Sequence, residues 1–378
     1  MRLRICIAPD KFKGSLSARE AARAIAQGMA RWLPDARLEI VPVADGGEGT
    51  AQTIVDSLGG RMMKKTVTGP DGKAVSALYG QLPGNVAVIE LAQASGLALV
   101  PDGKNDPLIA TTRGTGELIA TAIEEGAQRI ILAIGGSATN DAGTGALSAL
   151  GAVFLDAADN PLPPGGAALS RLARIDTTPL ERRLTGVSLE IASDVRNPLC
   201  GPSGASAVYG PQKGASPSDV AKLDAALRHF ADVAKQTVGV DVSDVPGAGA
   251  AGGAGAGFLG LAHATLRPGA DLVLDVLGFS RRLEGVSLVV TGEGRLDRQT
   301  FSGKAPFAVA QAAKRRNIPT VALAGSIDCS AQELEEAGIA FALPIVLGPM
   351  PLEEALRRAP ELLLRAAETL ARALTLKL

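Results

Sequence analysis

A run of β-branched and aliphatic side chains, Ile130 to Ile134, passes through Gly135 and Gly136 into Ser137, Thr139, Asn140 and Asp141, ahead of small helix-compatible residues. That order spells strand, glycine turn and helix start. The same grammar opens the chain. Residues 3–8 read as a strand, 17–32 as a helix with Ser17 at the cap, 38–43 as a second strand, and Asp45-Gly-Gly-Glu-Gly-Thr50 as a turn into an alanine-rich helix ending at 58. Such alternation demands a parallel sheet with helical crossovers, and it excludes all-α and all-β architectures.

From about residue 62 the pattern changes. Residues 64–68, 74–82 and 86–90 alternate as short strands around Gly69-Pro-Asp-Gly72, the signature of antiparallel pairing. Helices are expected at 115–125, 140–150 and 222–238, and strands at 130–134, 189–192 and 286–291. The chain then returns to the simple pattern: helix 306–316, strands 320–323 and 340–346, helix 352–374. The expected fold is therefore α/β with two domains. Residues 1–63 and 284–378 build a parallel-sheet, three-layer domain from both chain ends, and 64–283 form an inserted α/β domain with a mixed sheet.

The 378 residues, 46% of them hydrophobic, suffice for two cores. Thirty-eight basic against 39 acidic residues leave no field for nucleic acid or an anionic membrane, and an aromatic content of 3% leaves no base-stacking platform. Cys6, Cys200 and Cys329 are too few and too scattered for a disulfide framework or a zinc site. With no signal-peptide pattern, a reducing cytoplasm is expected. Residues 246–266 approach membrane length, but Gly and Ala dominate them, so they read as tight packing or a binding loop.

Ligands of open α/β sheets bind beyond the carboxyl ends of strands, where this sequence repeatedly places glycines beside charged and hydroxyl side chains. Lys11, Lys13, Arg196, Lys213 and Lys304 could neutralise an anion. Asp10, Asp45, Glu48, Asp194, Glu293 and Asp297 could hold magnesium or accept a proton. Positioning and charge neutralisation are most of what phosphoryl transfer asks of a protein. The blander alternatives are solvated surface charges for the lysines and helix or loop caps for Thr139, Asn140 and the carboxylates.

Three familiar signatures mislead or are missing. Gly247-Ala-Gly-Ala-Ala-Gly252 satisfies the dinucleotide pattern, but Pro246 interrupts its entry and residues 241–246 make a poor strand. No Walker loop exists, since Gly303-Lys304 is followed by Ala305. With only His229 and His263, a histidine triad or histidine-rich metal site is disfavoured.

Read together, Ala8-Pro-Asp-Lys-Phe-Lys-Gly-Ser-Leu-Ser-Ala18, Pro42-Val-Ala-Asp-Gly-Gly-Glu-Gly-Thr50, Gly135-Gly-Ser-Ala-Thr-Asn-Asp141, Asn197-Pro-Leu-Cys-Gly201 with Gly210-Pro-Gln-Lys-Gly214, Pro246-Gly-Ala-Gly-Ala-Ala-Gly-Gly253 and Thr291-Gly-Glu-Gly294 with Asp297 and Gly303-Lys304 resemble the bacterial glycerate kinase family of type I. Lys11, Arg113 and Ala142 depart from that pattern, which has Ser, Tyr and Gly there. The resemblance implies ATP-dependent phosphorylation of D-glycerate by two α/β domains with the active site between them. On that reading ATP phosphates meet Gly135, Gly136, Ser137, Thr139, Asn140 and Asp141 together with Gly249, Gly252 and Gly253. Asp194 is the first candidate for the base and Asp45 the second, with Lys13 at the reacting groups. Asp10, Lys11, Lys213 and Lys304 take the acceptor, and Asp297 and Glu293 hold Mg2+. Partners are ATP and D-glycerate, without nucleic acid or membrane; a homo-oligomer is left open. The product is expected to be 2-phosphoglycerate, with 3-phosphoglycerate, another sugar acid, a nicotinamide-dependent reductase and a nucleotide sensor as alternatives.

Overall fold

The computed structural model describes residues 3–101 and 103–376. Two compact units emerge. The first takes the chain up to Asp45, Asp56–Leu58 and the residues from Gly269 onward; the second takes Gly46–Val55 and Gly59–Pro268.

In the first unit five strands form an all-parallel sheet in the order Phe341–Pro344, Thr320–Ile327, Leu288–Leu296, Arg4–Ile7, Arg37–Ile40. Numbered within the unit and read from the opposite edge, the strands stand as 2-1-3-4-5, a doubly wound order. Successive side chains point to opposite faces. Ile5, Ile7, Leu288, Val290, Val321 and Leu323 pack with the helices Ala18–Ala30 and Leu352–Leu374, whereas Ala322 and Ala324 join Leu296, Ala310 and Leu334 on the other face. The unit is thus three-layered.

The Ala18–Ala30 helix starts at a capping box in which Ser17 and Glu20 exchange side-chain and backbone hydrogen bonds. Its buried stripe, including Ala21, Ala22, Ile25, Gly28 and Met29, lies on the C-terminal helix. Gly28 permits the approach: a Cβ there would stand 2.3 Å from the Leu364 carbonyl oxygen. Gly28→Ala is expected to lose roughly 1–3 kcal/mol in urea unfolding, although alanine is the better helix former by about 1 kcal/mol. An unchanged midpoint would mean that the two helices separate without cost.

The second unit carries a six-stranded mixed sheet in the order Thr265–Arg267, Ser188–Ala192, Arg129–Ala133, Val86–Glu90, Ala74–Leu82, Arg61–Thr68. The last three strands pair antiparallel and the rest parallel. Gly69 and Gly72 close the expected hairpin, Gly69 N–H donating to Lys73 O at 2.6 Å. The Pro217–Val238 helix buries Leu223, Leu227 and Phe230.

Both boundaries differ from the positions expected from sequence, 63/64 and 283/284. Residues 269–283 belong to the first unit because the Gly269–Val276 helix packs on Ala305–Lys314, and Arg282 pairs with Glu39 at 3.5 Å. Gly46–Val55 belong to the second because the Glu90 carboxylate accepts from Gly49 N and Ala51 N, at 3.2 and 2.8 Å. Residues 246–266, read as tight packing or a binding loop, contain the helix Ala250–Leu261, which is interrupted by left-handed backbone at Ala251, Gly252 and Gly253 and is closely packed. Among the described residues no helix is long and apolar enough to cross a membrane.

Candidate functional site

In a 2-1-3-4-5 sheet the strand order reverses between the first and third strands, here Arg4–Ile7 and Leu288–Leu296, and a crevice opens beyond their carboxyl ends. A cavity of about 680 Å3 lies there. Each of the five strands contributes to it where that strand ends: Asp10 to Lys13 and Ser15 after the first, Asp45 after the second, Glu293 to Arg295 and Asp297 in and after the third, Gly325 and Ser326 in the fourth, Ile345 and Val346 after the fifth. Met350, Leu352, Ala355, Leu356 and Ala359 line one side as an apolar wall.

Asp10 stands at the floor, 4% exposed, with its backbone N–H on Gly292 O at 2.8 Å and its Oδ1 accepting from Lys11 N at 2.7 Å. Burial first, and then the Asp45 charge, push its carboxyl up to about 7, against the Lys11 hydrogen bond. Glu293 is likewise pushed up to about 7, by burial first. The Thr300 hydroxyl, which donates to Glu293 Oε1 at 2.6 Å, and the Lys304 charge work the other way, while Asp297 and Asp45 add to the rise. The site therefore assembles carboxylates that resist ionising together, beside Lys11, Lys13 and Lys304.

Asp297 holds a tighter local role. Its Oδ1 accepts from Gln299 N at 2.9 Å and Thr300 N at 3.3 Å, and its Oδ2 pairs with Arg295 Nε at 3.3 Å. That turn leads to Lys304, the N-cap of the Ala305–Lys314 helix, where no side chain caps the first N–H groups. Partial positive charge at the helix start adds to the lysines. Among the described residues no three His, Cys, Asp or Glu side chains are grouped to hold a metal ion by themselves. Magnesium needs only one or two carboxylates when phosphate oxygens and water complete its shell, and the mutual repulsion of Asp10, Asp45 and Glu293 is what a cation would relieve. The donor set fits Mg2+ on those terms.

The other candidates lie in the second unit. Gly135 and Gly136 are exposed, whereas Ser137, Thr139, Asn140, Asp141, Gly249, Gly252 and Gly253 are buried. The helix expected from 140 begins only at Thr144, capped by Gly143, and runs for six residues. Its early N–H groups are taken: Asp141 accepts from Gly143 N and Gly145 N at 3.2 and 3.3 Å, and Thr112 Oγ accepts from Ala146 N at 2.9 Å. Thr112 N and Oγ also donate to Asp141 Oδ2, at 2.9 and 2.8 Å. Neither Thr139 nor Asn140 caps the helix. Asn140 Nδ2 donates to Ser206 Oγ at 3.0 Å, while Thr139 Oγ and Asn140 Oδ1 are the buried atoms of this stretch that have no partner among the described residues.

Gly249, Gly252 and Gly253 are required by packing. A Cβ at Gly249 would fall 2.2 Å from Pro198 O, and one at Gly252, whose φ is +67°, would fall 2.1 Å from Thr139 O. Lys213, 2% exposed, donates to Thr139 O at 2.7 Å, and burial pushes its ammonium down to about 7 against the pull of Asp141. Asp194 sits exposed just past the Ser188–Ala192 strand. Sequence reasoning missed Thr112, Ser206 and the apolar wall. Only the bare apolar character of Leu352, 74% exposed, marks the wall as unusual, and that exposure is invisible without the fold.

The family model described as glycerate kinase family matches residues 5–375. The chain is 49% identical to a glycerate kinase of Bacillus subtilis (strain 168), over 99% of this chain and 98% of the relative. It is 45% identical to a glycerate 2-kinase of Escherichia coli (strain K12), with the same coverage. A crystal structure of a Salmonella typhimurium LT2 protein provisionally named glycerate kinase 2 superposes with a TM-score of 0.91 at 45% identity, covering 99% of this chain and 98% of that one. Fold, motifs and near-complete alignment agree: the chain belongs to the glycerate kinase family.

Proposed function

We propose that the chain is a cytoplasmic enzyme that transfers a phosphoryl group from ATP to D-glycerate and releases 2-phosphoglycerate. The cavity carries this reading, since it brings lysines, a helix start and paired carboxylates to the carboxyl ends of a doubly wound sheet. The 2-position is favoured by the name of the Escherichia coli relative. Family membership and the phosphate-suited charge pattern both disfavour the reductase.

Mg2+, when bound, neutralises charge on the triphosphate and holds its oxygens in line for transfer. Glu293, with one of Asp10 and Asp45, would hold it, and Asp297 orders the turn that presents Glu293 and Lys304. Lys11, Lys13 and Lys304 bind anionic oxygens, and Lys13, the exposed one of the three, is assigned to the transferring group. Asp194 is the first choice to accept the glycerate hydroxyl proton and Asp45 the second. Lys213 holds the Thr139 carbonyl and the loop around it.

A phosphorus NMR time course with MgATP, with and without D-glycerate, tests the activity. Appearance of ADP and a phosphomonoester whose proton coupling marks a secondary alcohol ester is expected, and unchanged ATP would reject glycerate as acceptor. Asp194→Asn is expected to cut kcat by on the order of a hundredfold or more with an unchanged melting temperature. A fully active variant would pass the base role to Asp45.

A further inference from the structure

The switch-point cavity is larger and more apolar than a three-carbon acid requires. D-glycerate would fill on the order of a sixth of its 680 Å3, whereas nucleotide-sized ligands occupy pockets of this class. Its lining is also of two chemical kinds. Lys11, Lys13 and Lys304 lie with the acidic floor, and Met350, Leu352 and Leu356 form a wall that has no polar work for a small hydroxy acid to engage. Part of that wall is solvent-facing carbon, for Leu352 is 74% exposed at the first position of its helix. A ligand matched to both kinds has a polyanionic end and a flat apolar end joined by a polar segment.

We infer that the cavity holds the whole nucleoside triphosphate donor, with its base against the Met350–Leu352–Leu356 wall and its phosphates toward Lys304, Lys11 and Lys13. This rests on the kinase reading above and deepens it, since it assigns the donor to the first unit. The buried loops of the second unit then act on that unit's own framework: Gly249 and Gly252 are filled by the approach of Pro198 O and Thr139 O, and Asp141 by backbone donors.

Three ligand titrations separate the two kinds of lining: a fluorescent N-methylanthraniloyl ATP, unlabelled ATP as its competitor, and inorganic tripolyphosphate as a competitor that has no base. Leu352→Glu is chosen because the side chain is exposed and a carboxylate at a helix start does not threaten folding. It is expected to weaken ATP binding tenfold or more, to leave tripolyphosphate binding within twofold, and to raise KM for ATP with little change in KM for D-glycerate. Ala355→Phe, which narrows the same wall, should act in the same direction. Lys304→Ala should weaken ATP and tripolyphosphate alike. The assignment is overturned if Leu352→Glu and Ala355→Phe leave ATP binding unchanged while both fold, or if KM for D-glycerate alone rises. Should the wild-type protein transfer no phosphoryl group to glycerate, the activity reading falls, but the binding titrations still decide where the nucleotide sits.

Discussion

Asp10→Asn is expected to lower glycerate-dependent kcat by on the order of a thousandfold while making the ligand-free protein more stable above pH 7. The two effects share one cause. Asp10 titrates near 3.8 in the unfolded chain and at about 7 in the folded one, chiefly because burial and Asp45 disfavour its charge. At about 1.36 kcal/mol per unit, this corresponds to about 4 kcal/mol between the two protonation states. The folded protein keeps a proton that the unfolded chain releases. The stability tied to that proton is therefore fully present below about pH 4 and is lost as pH rises through 7. Asparagine stays neutral and still accepts from Lys11 N, so the variant should match the parent in urea unfolding below about pH 4, lead it by about one to two kcal/mol at about pH 5 and exceed it by a few kcal/mol at about pH 8. Equal stability at pH 8 would show that the site tolerates the charge, and an active variant would remove Asp10 from the machinery. Glu293, raised by the same physics, should give a smaller change because Thr300 and Lys304 already ease its ionisation.

The second large effect is structural. Asp141→Ala is expected to abolish soluble folded protein or to cost more than about 5 kcal/mol, since it strips the acceptor from several buried donors at about 1–3 kcal/mol each. Thr112 N, Thr112 Oγ, Gly143 N and Gly145 N would all lose their partner, and Lys213 would stay buried without the carboxylate charge that favours its ammonium form. Asp141→Asn should retain shape and part of the stability. Adding Lys213→Met to it should recover some of the loss, because an unpaired buried cation is then removed. A well-folded Asp141→Ala protein whose only defect is a raised KM for ATP would instead place the carboxylate at the ligand.

How much of this was legible in the sequence follows from which forces act locally. The β-α alternation at both ends, the Gly69–Gly72 hairpin and the helix cap at Ser17 were readable because each depends on residues within one turn or one strand. The late helix start at Thr144 was not. Ser137 to Asp141 have the composition of a cap, and only the docking of Thr112 against Asp141 reveals that the carboxylate serves a neighbouring segment. The glycines from 247 to 253 were equally ambiguous: a glycine demanded by a phosphate and one demanded by Thr139 O look identical in a string. The carboxylates at Asp10, Asp45 and Glu293 were visible as candidates one by one, but their convergence depends on the first strand lying beside one that the chain supplies nearly three hundred residues later.

That strand pairing sets a timetable for the newborn chain. Arg4–Ile7 leaves the ribosome early, yet its neighbour Leu288–Leu296 and the covering helix Leu352–Leu374 are made near the end of synthesis. At ordinary elongation rates the amino-terminal segment waits on the order of tens of seconds with Ile5, Ile7 and Ile25 uncovered, while the second unit has all of its strands in hand. Order of manufacture thus runs against order of assembly, and the apolar residues made first are among the last to be covered.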